Sequence, residues 1–328
     1  MSTTISGNST TFSPACVRSE AAERSSFVED LLRGLSQTSK RIDCKYFYDK
    51  RGSELFDQIC ELPEYYPTRP ELSIMRRDGE EMAAAIGERC LLVEYGSGSS
   101  LKTRLLLNRL QAPAGYVPID ISRQHLLAAS GRIRTEYPSL SVVPLCADYT
   151  RSVTLPRLPG AERTVAFFPG STISNFEPED AAGFLRSIRT TCGPGGGLLI
   201  GVDLKKDPAL LHAAYNDAAG VTARFNLNVL ARANREVGAN FDLGGFAHYA
   251  FYNAAVGRIE MHLVSRRDQT VLVADRPLRF REGESLLTEY SYKYTTHQFA
   301  NLARQAGYQV KHAWIDQRRL FSVQYLAE

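Results

Sequence analysis

Tryptophan, methionine and cysteine are scarce in this sequence, and its charges nearly cancel. The 328 residues include one Trp, four Met and six Cys, and 39 Lys and Arg against 36 Asp and Glu leave a net charge of +3. So small an excess of positive charge does not favour a nucleic-acid or membrane surface. No apolar run approaches the roughly 18 to 20 residues that a membrane span requires. We therefore expect a soluble protein whose partner is a small molecule.

The few cysteines also exclude two kinds of site. They lie far apart, form no C-x-x-C pair and have no histidine at the spacing of a shared metal ligand set. Neither a zinc site nor a disulfide framework is therefore expected, and no metal is predicted. Such cysteines fit a reducing compartment, so we expect a cytoplasmic protein, acting as a monomer.

The N-terminal part is expected to be helical after a flexible tail. Residues 1–24 are rich in Ser and Thr and lack the apolar segment of a secretion signal, so they are assigned to the tail. Order is expected to begin at Ser26, which has the spacing of a capping box and precedes an amphipathic run. Further helices are predicted over 53–59 and from about Pro70, where Thr68 suits the N-cap.

From about residue 90 the pattern changes to short apolar runs separated by helical stretches. The runs predicted as strands are 91–95, 116–119, 141–145, 164–168 and 197–202. The helices predicted between them are 101–110, 124–137 and 178–190. This alternation is typical of a parallel sheet covered on both faces, so the predicted fold class is α/β.

After Asp203 the alternation stops. A helical stretch over 208–234 leads into segments of alternating polarity, which are typical of an antiparallel sheet with one wet face. A last helix at 296–306 precedes two strand-like runs that are expected to finish the main sheet as an edge hairpin. We therefore predict two domains, one of them discontinuous. The predicted lid domain comprises 25–70 and 206–293, and the predicted cofactor domain comprises 71–205 and 294–328.

A glycine-rich turn, residues 94–100, follows the first strand of the predicted parallel sheet. Glycines such as Gly96 and Gly98 let the backbone approach a nucleotide-like ligand at the carboxyl edge of the sheet. A dinucleotide motif would place a third glycine at position 101, where this sequence has Leu101. The missing glycine disfavours an NAD-dependent dehydrogenase.

Acidic residues follow the next two predicted strands. Asp120 can accept both hydroxyls of a ribose, and Asp148 can accept from an adenine amino group beside the ring of Tyr149. Each feature alone is ordinary, since an Asp after a strand is often a helix cap. Their order and spacing together predict S-adenosylmethionine as the cofactor.

From about Lys45 to its end, the chain resembles the S-adenosylmethionine-dependent histidine Nα-methyltransferases of ergothioneine biosynthesis. The strings that carry the resemblance are YFYD (46–49), GSELF (52–56), LPEYYPTR (62–69), EYGSGSS (94–100), KTR (102–104), FPGSTISNF (168–176), DLKKD (203–207) and NRE (234–236). The resemblance implies a class I, Rossmann-like methyltransferase sheet with a second, discontinuous α+β lid domain. It also implies trimethylation of the α-amino group of L-histidine to hercynine, through the mono- and dimethylated forms.

The resemblance implies a set of site residues. Those expected to hold the cofactor are Tyr48, Gly96, Lys102, Asp120, Asp148 and Tyr149. Those expected to bind the substrate are Tyr65, Gly170, Asn175, Tyr215, Glu289 and Ser291. Tyr48 and Asn175 are the expected catalytic residues. Tyr290 stands where a smaller aliphatic residue is usual, which could reshape the imidazole pocket.

Chemistry assigns these residues different tasks. An amine attacks the methyl group only with a free lone pair, and neutral acceptors such as Asn175 and tyrosine hydroxyls favour that form. A carboxylate at the amine would retain the proton, so Glu289 is expected at the imidazole. Two alternatives stay open: a methyltransferase of another amino acid such as a tryptophan derivative, and a noncatalytic sensor that binds an amino acid without consuming the cofactor.

Overall fold

The computed structural model describes residues 20–328 except Ser99 and Ser152, with side chains from Arg24 onward. Residues 1–19 of the predicted tail lie outside the described part. The first helix begins at Glu20, so the expected start at Ser26 is wrong. The residues before Ser26, EAAERS, contain strong helix formers, and they extend the helix past the capping-box pattern.

The described helices alternate with strands through the middle of the chain. The helices are α1 Glu20–Leu35, α2 Lys50–Glu61, α3 Thr68–Ile86, α4 Leu101–Leu107, α5 Arg123–Glu136, α6 Pro178–Cys192, α7 Pro208–Tyr215, α8 Val221–Val237 and α9 Thr296–Gln305. The strands are β1 Cys90–Tyr95, β2 Gly115–Asp120, β3 Leu145–Cys146, β4 Arg163–Phe168, β5 Gly197–Asp203, β6 Phe246–Asn253, β7 Arg258–Ser265, β8 Gln269–Val273, β9 Arg276–Phe280, β10 Ser285–Tyr292, β11 Gln309–Ile315 and β12 Phe321–Ala327.

The main sheet has the strand order β11-β12-β5-β4-β1-β2-β3. Strands β1 to β5 are parallel, and β12 runs antiparallel to β5 while pairing with β11 at the edge. The predicted α/β class, the parallel sheet and the edge hairpin are confirmed. The strand predicted over 141–145 is reduced to β3, although Val142 makes an isolated bridge to Tyr116.

The insertion after β5 contains a separate antiparallel sheet of order β10-β7-β6 and a two-stranded β8–β9 ribbon. The antiparallel prediction is therefore confirmed. The helical stretch predicted over 208–234 is divided into α7 and α8. Gly220, at a φ of 66°, precedes α8, and the Asp217 carboxylate accepts from the first backbone N–H groups of that helix. Pro67 rather than Thr68 is the N-cap of α3, so the Thr68 prediction is wrong.

Buried apolar side chains form three clusters. One cluster draws on residues 27–66 and 211–286 with Leu320, and the other two cover the faces of the main sheet. In the described part of the chain, no helix is both long and apolar enough to cross a membrane.

The first of these clusters forms a packed unit beside the carboxyl edge of the parallel strands. The space between this unit and the sheet edge is where a site can form.

Candidate active site

A cavity of about 910 Å³ opens at the carboxyl ends of the parallel strands and is walled on the other side by the N-terminal segment and β10. The predicted site residues that line it are Tyr48, Tyr65, Gly96, Lys102, Asp120, Asp148, Tyr149, Gly170, Asn175 and Glu289. Tyr215 and Ser291 are not among its lining residues; both are buried, and Tyr215 contacts the lining residue Tyr65. Residues distant in sequence therefore share one enclosed space.

The glycine-rich turn after β1 leaves room for a ligand. Gly96 and Gly98 have φ angles of 78° and 42°, which non-glycine residues rarely adopt. A Cβ added at Gly98 would meet no atom within 4 Å. Ser97 and Ser100 carry buried hydroxyls that find no hydrogen-bond partner among the described residues. Open backbone and unpartnered hydroxyls at this edge fit a polar cofactor such as S-adenosylmethionine.

The two predicted nucleoside-binding carboxylates lie beside this turn. Asp120 accepts a hydrogen bond from the backbone N–H of Ser122 at 2.8 Å, and burial raises its pKa. The carboxylate of Asp148 accepts from Thr150 Oγ1 at 2.5 Å and lies 3.4 Å from Lys45 Nζ. Burial acts to raise the pKa of Asp148, but the hydrogen bonds from Thr150 and the charge of Lys45 outweigh it and lower that pKa. Both carboxylates therefore have a fixed orientation.

Glu71 is a site residue that the sequence analysis missed. It lies on α3, is only 1% exposed, and accepts the backbone N–H of Gly170 at 2.9 Å. Its other oxygen lies 2.5 Å from Lys102 Nζ. Glu71 therefore holds a cationic side chain and a glycine turn together at the cavity wall. Its signal in the sequence is a carboxylate within the apolar face of a helix, next to Leu72.

Aromatic rings form another part of the cavity wall. The ring of Phe56 makes edge contacts with the rings of Tyr48 and Tyr65, at centroid distances of 5.7 and 6.2 Å. Burial raises the pKa of both tyrosines well above the usual value, so their hydroxyls stay protonated and neutral. Tyr65 also makes an edge contact with Tyr215 at 6.4 Å. This wall offers apolar surface and neutral hydroxyls.

Glu289 and Ser291 lie two residues apart on β10, after an irregularity between Leu287 and Glu289. Their side chains share one face of the strand because successive side chains alternate. Burial raises the pKa of Glu289 to about 7, while the charge of Lys293 acts in the opposite direction. Ser291 is 4% exposed. This face of β10 therefore points into the protein rather than to solvent.

A hydrogen-bonded group lies directly behind this face. The Tyr215 hydroxyl donates to Ser291 Oγ at 2.8 Å. Lys293 Nζ donates to the same Ser291 oxygen at 2.6 Å and to the Tyr215 hydroxyl at 3.1 Å. Lys293 thus holds Tyr215, a predicted substrate residue, and no sequence pattern predicts this contact.

Tyr290 has its own partner at the cavity. The guanidinium carbon of Arg258 lies 3.4 Å from the centroid of its ring, and Arg258 is in turn bound to Glu177 and Glu260. Tyr290 also lines the cavity. The bulky ring is thus fixed by a cation, and a smaller aliphatic residue at this position would leave Arg258 with only the more distant ring of Tyr292, at 5.3 Å.

Comparison with known proteins gives consistent results. A family described as histidine-specific, S-adenosylmethionine-dependent methyltransferases matches residues 27–328. The chain is 43% identical over 292 residues to the histidine N-alpha-methyltransferase of Mycolicibacterium smegmatis, which covers 88% of this chain and 90% of that protein. It is 41% identical over 304 residues to the histidine N-alpha-methyltransferase of Mycobacterium tuberculosis, with coverages of 91% and 94%. It is also 31% identical over 277 residues to ergothioneine biosynthesis protein 1 of Neurospora crassa, covering 81% of this chain and 31% of that protein.

Proposed function

Because the chain belongs to the histidine-specific, S-adenosylmethionine-dependent methyltransferases, we propose that it methylates the α-amino group of L-histidine three times, giving hercynine for ergothioneine biosynthesis. The observation that carries this proposal is one cavity whose lining includes both the glycine-rich turn and the Glu289 carboxylate. A cofactor at one end and a polar side chain at the other would bring the amine between them. The mono- and dimethylated amino acids are then substrates as well.

The residues at the sheet edge are proposed to hold S-adenosylmethionine, which supplies an electrophilic methyl group. Asp120 would accept the ribose hydroxyls, and Asp148 with Tyr149 would receive the adenine. Gly96 would admit the amino-acid part, and Lys102 would pair with its carboxylate. The open turn at Gly98 and the unpartnered serine hydroxyls support this arrangement.

Asn175 and Tyr48 are proposed as the groups that orient the substrate amine. Both line the cavity, and neither carries a negative charge that would stabilise an ammonium ion. The raised pKa of Tyr48 keeps its hydroxyl neutral, so the oxygen accepts an amine hydrogen and leaves the lone pair free. Gly170 and Tyr215 are proposed to accept from the substrate amine, because the Gly170 N–H is donated to Glu71 and the Tyr215 proton to Ser291. The amide N–H groups of Asn175 are proposed to bind the substrate carboxylate. Positioning of this kind can supply much of the rate of an in-line displacement.

Tyr65, Glu289 and Ser291 are proposed to recognise the imidazole. Glu289 lines the cavity, and Ser291 lies two residues along on the same face. A carboxylate accepts the ring N–H that leucine and phenylalanine lack, so apolar side chains would leave buried polar groups unpaired. A methyltransferase of a tryptophan derivative is the second candidate, because the bulky Tyr290 also lines the cavity. It would be favoured if Glu289 did not face the substrate side chain.

The segments 25–70 and 206–293 are proposed to act as a lid on the cofactor domain, 71–205 and 294–328. The first apolar cluster draws almost entirely on the lid segments, and the buried residues of the two sheet clusters come from the cofactor domain except for Tyr292. We further propose a cytoplasmic monomer that acts without a metal and binds neither nucleic acid nor membrane. The near-neutral charge supports the last point.

Mass spectrometry after incubation of the protein with histidine and S-adenosylmethionine tests the proposal. Products heavier by one, two and three methyl groups are expected, with equimolar formation of S-adenosylhomocysteine per methyl transferred. Fragmentation must place the methyl groups on the α-nitrogen rather than the ring. Methylation of tryptophan but not histidine would favour the second candidate, and histidine binding without cofactor consumption would identify a sensor.

A further inference from the structure

A buried ionic cluster joins the main sheet to the β10 face of the cavity. Asp203, at the end of β5, is 1% exposed, and its Oδ2 lies 2.8 Å from Lys293 Nζ. Its Oδ1 pairs with Lys206, and its Oδ2 accepts from the Tyr66 hydroxyl at 2.7 Å. One carboxylate thus anchors two ammonium groups, which makes the cluster cationic when all three groups are ionised.

The two lysines of this cluster differ in what else they contact. Lys206 donates to the Tyr66 hydroxyl at 2.8 Å, away from β10. Lys293 donates to Ser291 Oγ and to the Tyr215 hydroxyl, at 2.6 and 3.1 Å. Lys293 lies directly after β10, and its hydrogen bond to Ser291 places its ammonium group on the side of the strand that Glu289 and Ser291 share. The ammonium group of Lys293 therefore lies between its anchor and the proposed imidazole site.

The hydrogen bonds determine which groups still have a proton to offer. A hydroxyl has one proton and two acceptor positions. Ser291 Oγ accepts hydrogen bonds from both Lys293 and Tyr215. Both of its acceptor positions are therefore filled, and the hydroxyl can act towards a further group only as a donor. The Tyr215 proton is committed to Ser291, which leaves Tyr215 as an acceptor only. The protein neighbour for the Ser291 proton is Ser174 Oγ, at a long 3.3 Å, while Ser174 donates to the Ser171 carbonyl.

We propose that Lys293, anchored by Asp203, is a positioning residue that fixes Ser291 as a donor and Tyr215 as an acceptor and stabilises the ionised Glu289. The inference rests on the proposed function, in which Ser291 and Glu289 bind the imidazole. The site then presents one donor and one acceptor, and it selects a ring that carries one N–H and one bare nitrogen. This is a neutral imidazole in a single tautomer.

Several groups face Glu289 from the elements packed around it. They are Cys44 and Tyr48 of the N-terminal segment, Tyr65 before α3, Tyr215 at the end of α7, and Lys293 beyond β10. Arg41 and Asp43 also line the cavity. The lysine charge opposes the effect of burial on the Glu289 pKa, so its removal would raise that pKa further. Histidine would then meet a neutral carboxyl group over a wider pH range.

The test compares Lys293→Met with two control variants. Lys206→Met removes the other lysine bound to Asp203, which contacts neither the Ser291 nor the Tyr215 hydroxyl, and Lys205→Met removes an exposed lysine. The substrates are histidine, triazolylalanine and thienylalanine. The triazole has an N–H and a bare nitrogen and stays neutral in mildly acidic solution, so its ring adds no ionisation to the pH profile there. The α-amino group of the substrate titrates alike for every variant, so a difference between the profiles of two variants reports groups of the enzyme. The thiophene ring has neither feature.

Lys293→Met should lose about tenfold or more of the preference for triazolylalanine over thienylalanine in kcat/KM. The acidic limb of its kcat/KM profile should move upward by about one pH unit. Lys206→Met and Lys205→Met should have the same substrate preference and the same acidic limb of the kcat/KM profile as the parent. The same changes in Lys206→Met, or unchanged selectivity and limb in Lys293→Met, would reduce Lys293 to a structural ion-pair partner.

If Lys293→Met does not fold, Lys293→Gln replaces it in the test, because glutamine keeps a hydrogen-bond donor but carries no charge. Lys293→Gln should preserve the preference for triazolylalanine over thienylalanine but move the acidic limb of the kcat/KM profile upward. Loss of that preference with an unmoved acidic limb would overturn the proposal. Titration of the Glu289 carboxyl by carbon NMR, assigned with Glu289→Gln, needs no turnover. If the parent methylates no histidine, the proposed function fails, whereas an unshifted Glu289 titration in Lys293→Gln contradicts the role of Lys293.

Discussion

Lys45 Nζ lies 3.4 Å from the Asp148 carboxylate and so connects the N-terminal segment to the cofactor edge of the main sheet. The same ammonium group lies 3.0 Å from Asp30 on α1. One cation therefore bridges a residue of the proposed lid and a residue proposed to receive adenine. Cofactor binding and the order of the lid are expected to be coupled through this contact.

Hydrogen exchange should reveal this coupling. Histidine with S-adenosylhomocysteine should slow exchange in the segments around Tyr48, Tyr65, Tyr215 and Glu289, because a filled cavity holds the lid closed. Lys45→Ala should reduce the slowing at Tyr48 but weaken cofactor binding only a few-fold, since a partly exposed ion pair contributes about 1 kcal/mol or less. Identical exchange with and without ligands would indicate an open and rigid site.

Asp120→Ala should weaken cofactor binding. Loss of the carboxylate leaves the ribose hydroxyls without their acceptor and costs about 1.5 to 3 kcal/mol, which corresponds to roughly a tenfold to over a hundredfold rise in Kd. Isothermal titration with S-adenosylhomocysteine measures this change. Asp57→Ala is a control for the loss of a charge, because it removes another carboxylate of the cavity wall. An unchanged Kd in Asp120→Ala would refute the ribose assignment.

The sequence predicts the main sheet well because buried parallel strands contain continuous apolar runs, such as Val165 to Phe168. It fails at the β8–β9 ribbon, whose turn uses Ala274 and Asp275 at φ angles of 46° and 63°. Tight turns of this kind normally contain glycine or asparagine, so the usual signal is absent. Sequence patterns also place Glu289 and Ser291 on one face, since that follows from strand geometry alone.

The contacts of Glu71 and Lys293 could not be predicted in this way. Glu71 meets Gly170 and Lys102, and Lys293 meets Asp203, across separations of many residues that only the tertiary fold brings together. A charged residue inside an apolar pattern shows that a partner exists without identifying it. The motif residues at the site were accessible from the sequence, whereas the residues that hold them in place were not.

Glu289 should make the stability of the fold depend on pH. Its pKa rises from an ordinary value of 4.5 to about 7 in the folded protein, so the folded state binds the proton more tightly than the unfolded state. The stabilisation is complete below about pH 4.5 and is lost as the pH rises to about 7. Between pH 5 and 8 the free energy of unfolding of the parent should fall by about 1 to 3 kcal/mol relative to Glu289→Gln. Urea unfolding at both pH values checks this, and parallel pH dependences would contradict the raised pKa.

Replacing Glu289 and Asn175 separates recognition of the side chain from recognition of the backbone part of the substrate. Glu289→Ala should raise KM for histidine and relax discrimination against tryptophan, because an apolar or indole ring no longer leaves a buried carboxylate unpaired. Asn175→Ala should weaken all amino-acid substrates alike, since the amine and carboxylate are common to them. Competition between histidine and tryptophan measures the ratio of kcat/KM values for each variant. If both variants kept the selectivity of the parent, Glu289 would not recognise the imidazole, and the side-chain specificity would have to arise elsewhere in the cavity wall.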